Sequence, residues 1–168
     1  MDPFGDGTLG PSSNRTNESL LVRVLSLPNH KIIDPLRELA TAVVQARYTS
    51  IVAQHVGLAA NELVENAVLY GTLDAEVDFA LSFDPSVKHL CVRVANSTLP
   101  SRAVVVKGLI EKMRSGGARQ AVEEGLRSAS RGVGRSQLGL ARVMYEASME
   151  LSVEVVAARV TVTARYRV

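Results

Sequence analysis

Between Leu20 and Leu27 the chain carries a short apolar run, interrupted by Arg23 and stopped by Pro28, which predicts a first strand. Apolar residues then return at three- and four-residue spacing: Ile32, Ile33, Leu36, Leu39, Ala40, Val43 and Val44. That period predicts a helix over 31–47, with Pro35 near its start where a missing N–H costs little. A second helix is expected over 50–70, capped by Ser50 and stopped at Gly71. Beyond it the period drops to two. Val77, Phe79, Leu81 and Phe83 alternate with Glu76, Asp78, Ala80 and Ser82, and after Asp84-Pro85-Ser86 come Leu90, Val92 and Val94, which predicts a hairpin. Residues 101–130 read as helical with a break at Gly116-Gly117. A glycine-bearing segment, 132–140, then leads into a helix ending near Ala147. Two alternating strands close the pattern, the last placing Val160, Val162, Ala164, Tyr166 and Val168 on one face.

The element order is β-α-α-β-β-α-α-α-β-β. Helices grouped between hairpin strands predict a two-layer α/β (α+β) sandwich, its mixed, mostly antiparallel sheet covered on one face by helices. Residues 1–19, rich in Gly, Ser, Asn and Pro, read as a flexible tail, and residues 20–168 as a single domain. Hydrophobic residues make up 46% of the 168, enough for a packed core. A net charge of +2 with 4% aromatics argues against nucleic-acid binding. No apolar run approaches the roughly 20 residues of a membrane span. Cys91 is the sole cysteine, which excludes a disulfide framework and a cysteine zinc cage. It reads as a small apolar strand residue. With no basic and apolar leader at the N-terminus, a cytoplasmic protein is expected.

Two segments carry candidate chemistry. In Asn61-Glu62-Leu63-Val64-Glu65-Asn66-Ala67, Glu62 and Asn66 lie four residues apart and share one helical stripe with Tyr70. A carboxylate and a carboxamide so placed can serve as a proton acceptor and as an oxygen ligand for a hard cation. An ordinary polar helix face accounts for the same spacing. The second segment, Gly132-Val133-Gly134-Arg135-Ser136-Gln137-Leu138-Gly139-Leu140, offers backbone N–H groups and a helix start suited to phosphate, or simply turn glycines. It is neither a Walker sequence nor a dinucleotide fingerprint. His30, His55 and His89 have no ligand spacing. Arg127, Arg131 and Arg135 read as a solvated helix face, and Arg159, Arg165 and Arg167 as part of a polar outer sheet face.

Taken together, Glu-x-x-x-Asn-Ala on a helix, two strands, a long helical stretch and a glycine segment ending in Leu-Gly-Leu resemble the GHKL superfamily of ATP-binding domains. That group includes gyrase, histidine kinases and anti-sigma-factor serine kinases. The resemblance spans 20–168. Size points to the small regulatory kinases of partner switching, and the helical insert to the SiaB-type kinases. The resemblance implies ATP and Mg²⁺ as cofactors, with Glu62 as catalytic base and Asn66 holding the metal between the phosphates. It implies that Asn96, Gly132, Gly134, Ser136, Gln137, Leu138 and Gly139 contribute to nucleotide binding. It further implies a protein partner, of the STAS class, with a homodimer as one admissible assembly. The expected adenine motif, Asp followed by Gly-x-Gly, is altered: Asn96 stands in the aspartate's place, Ser97-Thr98-Leu99 follow, and both glycines are gone. Tyr70 stands where relatives have His or Lys, while Ser136 and Gln137 interrupt the glycine run. The two functions in view are therefore a kinase-like switch and a module that keeps the fold but binds partners without turnover.

Overall fold

A computed structural model of the chain describes residues 19–117, 120, 123 and 135–168. Gly132 and Gly134, with Arg127, Arg131 and most of the expected tail, lie outside the described residues. Strand β1 (Ser19–Ser26) is followed by a 3-10 turn (His30–Ile32) and helix α1 (Ile33–Gln45). Helix α2 (Ser50–Tyr70) leads to strands β2 (Val77–Asp84) and β3 (His89–Ser97). Helix α3 (Pro100–Lys112) continues as a π-helical turn over Met113–Gly117, at the glycine pair where a break was expected. Helix α4 (Arg135–Tyr145) then precedes β4 (Glu150–Val156) and β5 (Arg159–Arg167).

The five strands form one sheet in the order β1-β2-β3-β5-β4. All four pairings are antiparallel, so the sheet expected to be mostly antiparallel is antiparallel throughout. The local cause is that both strand pairs adjacent in sequence are hairpins, β2–β3 and β4–β5. Asp84 shapes the first turn by accepting from the Ser86 N–H at 3.0 Å.

One sheet face meets the helices. Phe79, Leu81, Leu90, Val92, Val94, Leu151 and Ala164 supply that face and are almost wholly buried, each large one worth roughly 1.5–3 kcal/mol of transfer energy. Helix α2 packs on the sheet, on α1 and on α4, and Val56, Ala59, Ala60, Leu63, Val64 and Ala67 are all buried. Its many small residues suit a helix surrounded on several sides. Gly57 permits the close crossing of α1, because a Cβ there would overlap the Thr41 hydroxyl. Thr49, one residue before the expected Ser50, is the N-cap: its hydroxyl accepts from the Val52 N–H at 3.4 Å. Among the described residues no helix is long and apolar enough to cross a membrane.

The outer face is polar but tied down. Asp78 is 7% exposed and receives Arg23 Nε and Nη2 on its two oxygens, both at 3.0 Å. Arg159 Nη2 adds a third bond at 3.1 Å, so one carboxylate links β1, β2 and β5. The Arg23 guanidinium holds the Asp78 carboxyl below the usual aspartate range, with Arg159 acting the same way. A depressed acid stabilises the fold above its unfolded value, about 3.9, and that contribution is lost as pH falls through the folded value. Urea unfolding of wild type should therefore weaken below about pH 3.9, and Asp78→Asn should show a shallower loss. Identical acid slopes in the two proteins would exclude the clamp.

Candidate functional site

The carboxyl-terminal half of α2 projects Glu62 and Asn66 to one side, toward α4. Glu62 is 8% exposed. Its Oε1 accepts from Arg142 Nη1 at 2.9 Å, and Arg142 Nε also donates to both Glu146 oxygens at 3.1 Å. Its Oε2 rests against Gly139, where a Cβ would overlap it. Burial raises the Glu62 pKa, Arg142 opposes that rise, and the negative charges of Glu65 and Glu146 add to it.

Asn66 forms the wall between two hollows. The wetter one, a cleft of about 230 Å³, is lined by Glu62, Glu65, Asn66, Leu69, Leu138, Gly139 and Arg142. The drier one, about 70 Å³, is roofed by Val105, Val106 and Leu109 of α3 and carries Asn66, Tyr70, Asn96 and Thr98 as its polar groups. Asn66 Nδ2 is buried without a hydrogen-bond acceptor. An unpaired buried amide costs about 1–3 kcal/mol, the mark of a group kept for a ligand or an ordered water.

Asn96 and Thr98 close the same region from the sheet. Asn96 Nδ2 donates to the Ala67 carbonyl at 3.2 Å and to the Ser97 carbonyl at 3.4 Å. The Thr98 hydroxyl donates to the Tyr70 carbonyl at 2.5 Å, and the Thr72 N–H donates to Ser97 at 2.9 Å. Of the last carbonyls of α2, that of Tyr70 is thus satisfied by Thr98, while that of Ala67, which also accepts from the Gly71 N–H at 2.9 Å, gains a second donor in Asn96. Arg102 of α3 stacks over the Tyr70 ring, its guanidinium carbon 5.6 Å from the centroid.

Of the residues singled out in the sequence, Glu62, Asn66, Leu138 and Gly139 surround the cleft, and Asn96 lies in the adjoining cavity. Ser136 and Gln137 fall in the first turn of α4. Gly139 is a helical glycine packed on Glu62, not part of a loop over a ligand, because α4 already begins at Arg135. Arg142 and Glu146 were not anticipated. Their four-residue spacing is the one trace they leave in the sequence. Among the described residues no three His, Cys, Asp or Glu side chains converge on a metal-sized site.

No family model matches the chain, and no curated protein matches it in sequence. Its fold is similar to that of a chain in the crystal structure of the SiaB–SiaC complex from Pseudomonas aeruginosa. The TM-score is 0.67, with 88% of this chain and 89% of that chain covered. At 16% identity the likeness is one of fold.

Two substitutions test this geometry. Gly139→Ala should drive the Glu62 carboxylate away from α4, costing about 1–3 kcal/mol by overpacking, and a crystal structure should show the Arg142 bond broken. Asn96→Asp should cost about 1–3 kcal/mol in chemical denaturation. It removes the donor to Ala67 and places a negative charge at the negative end of α2. An undiminished stability would mean that Asn96 does not hold that helix end.

Proposed function

We propose that this chain is a regulatory protein of the GHKL ATP-binding type, acting on a protein partner as a serine/threonine kinase-like switch. The observation that carries the reading is the shared cleft. Glu62 and Asn66 open into it side by side, and Asn66 also borders the cavity of Asn96. The likeness in fold to a chain from a protein–protein complex supports a protein partner. The GHKL resemblance adds the STAS class to that proposal.

The residues fit a magnesium nucleotide on the phosphate side. The unpaired Asn66 amide matches a phosphate oxygen and, turned over, presents its own oxygen to Mg²⁺. ATP with Mg²⁺ would supply the transferable phosphoryl group and neutralise its charge. In this reading Glu62 accepts the proton of the partner's serine or threonine hydroxyl. Burial favours that role by raising its basicity. Leu138 excludes water from one wall, and Arg142 keeps a positive charge beside the cleft. On the purine side, Asn96 offers its Oδ1 as acceptor while its nitrogen is committed to α2. The cavity there, about 70 Å³, opens further only if Val105, Val106 and Leu109 move with α3.

That narrow cavity favours a second reading, a partner-binding module without nucleotide turnover. Calorimetric titration with ATP, with and without Mg²⁺, separates the two. We expect binding on the order of 100 μM, equivalent to about 5.5 kcal/mol. Asn66→Ala should lose most of the Mg²⁺ enhancement, whereas Glu62→Ala should bind nucleotide with little change and lose phosphotransfer. Absence of ATP binding in wild type would leave the module as the function.

A further inference from the structure

We infer that Arg142 is a positioning residue of the cleft: bridging Glu62 on α2 to Glu146 on α4, it fixes the Glu62 carboxylate at the cleft wall and makes the seating of α4 decide where that carboxylate lies. This deepens the reading above, resting on it only in taking Glu62 as the proton acceptor.

The geometry is specific to an arginine. The planar guanidinium uses two of its edges at once, Nη1 on Glu62 at 2.9 Å and Nε on both Glu146 oxygens at 3.1 Å. Glu146 lies one turn beyond Arg142 on the same helix, so it braces the arginine from behind. Gly139 lies three residues before Arg142 and so on the same helix face. Helix α4 therefore presents to Glu62 both the gap that admits Oε2 and the cation that binds Oε1.

The electrostatics require such a partner. A carboxylate 8% exposed is costly to keep charged, and an unpaired one takes up a proton instead. Among the described residues three charged groups face it: Arg142 and Glu146 from α4, and Glu65 from its own helix. Of these three, Arg142 favours the ionised form and both glutamates oppose it. A shift of α4 by little more than one hydrogen-bond length would release Oε1 and withdraw the charge that favours the ionised carboxylate. The place and the charge preference of the Glu62 carboxylate thus depend on how α4 sits. A partner bearing on α4 would act on Glu62 without touching it.

The test is a carbon-detected NMR titration of the Glu62 side-chain carboxyl in nucleotide-free wild type, Arg142→Met and Arg142→Lys. Arg142→Met should raise the midpoint by at least about one pH unit, a tenfold change in proton affinity. Arg142→Lys should restore more than half of the difference. If Arg142→Met does not fold, Arg142→Met/Glu62→Gln, which leaves no unpaired carboxylate at position 62, should fold, and failure of the double variant too would assign Arg142 to packing alone. An unchanged Glu62 midpoint in Arg142→Met overturns the positioning role whether or not ATP binds. A raised midpoint in a protein that binds no ATP keeps the contact and overturns the kinase-like reading instead.

Discussion

The carboxyl-terminal end of α2 is held by the end of β3, and the rest of the site depends on that junction. Asn96 and Thr98 donate to the carbonyls of Ala67 and Tyr70, and Gly71 forms an isolated bridge with Thr98. A helix end left bare inside a protein would strand several carbonyls. Here the Thr98 hydroxyl satisfies the Tyr70 carbonyl, and Asn96 adds a second donor to Ala67 beside the Gly71 N–H. With that end fixed, the direction of α2 is fixed, and so is the face on which Glu62 and Asn66 emerge one turn apart. The two hollows on either side of Asn66 follow from the same anchoring. Had the helix ended in solvent, the stripe would have no defined floor beneath it.

Much of the architecture was legible because two periods dominate the sequence. Alternation in Val77–Phe83 and Val160–Val168 marks strands whose inward residues are now seen against the helices. The three- and four-residue spacing of Leu36, Ala40 and Val44 marks α1, and all three are buried. The direction of strand pairing was less legible, since neither period distinguishes parallel from antiparallel neighbours for β3 and β5. The stripe of Glu62 and Asn66 was readable as a stripe. Its surroundings were not, because Arg142 lies 80 residues away in sequence from the carboxylate it binds. Gly139 was read as a loop glycine because glycine before a helix and glycine inside one look alike until a neighbour fills the missing Cβ. Asn96 was read as a nucleotide-binding residue in the aspartate's place. Its amide nitrogen meets α2, a contact that no motif in the sequence encodes.

The outer sheet face follows a different logic from the site. Asp78 sits among small residues, Ala80, Ser82, Cys91 and Ala95, all buried in part beneath long arginine side chains. Arg23 and Arg159 cover apolar surface with their stems while their heads neutralise the one acid beneath them. Charge there is spent on joining the edge strand β1 to the middle of the sheet. The charge in the cleft is held instead between two helices. Substitutions on one side of the sheet should therefore add independently to those on the other.

The strand order has a topological consequence. Strands β3 and β5 lie side by side, with Asn96 opposite Val160, although the whole segment carrying α3, α4 and β4 separates them in the chain. That segment leaves the sheet at Thr98, whose N–H donates to the Ala158 carbonyl at 2.9 Å, so its departure and its return are tied at one point. Its helical part, from α3 to α4, is an excursion from the sheet that rejoins it at β4. Closing a loop costs only about 0.6 kcal/mol more for each doubling of its length. The connection between α3 and α4 can thus lengthen or shorten with little change in the cost of closing it, while the β3–β5 ladder stays the same. The portion of the chain that roofs the cavity and presents Arg142 is also the portion whose length the sheet constrains least.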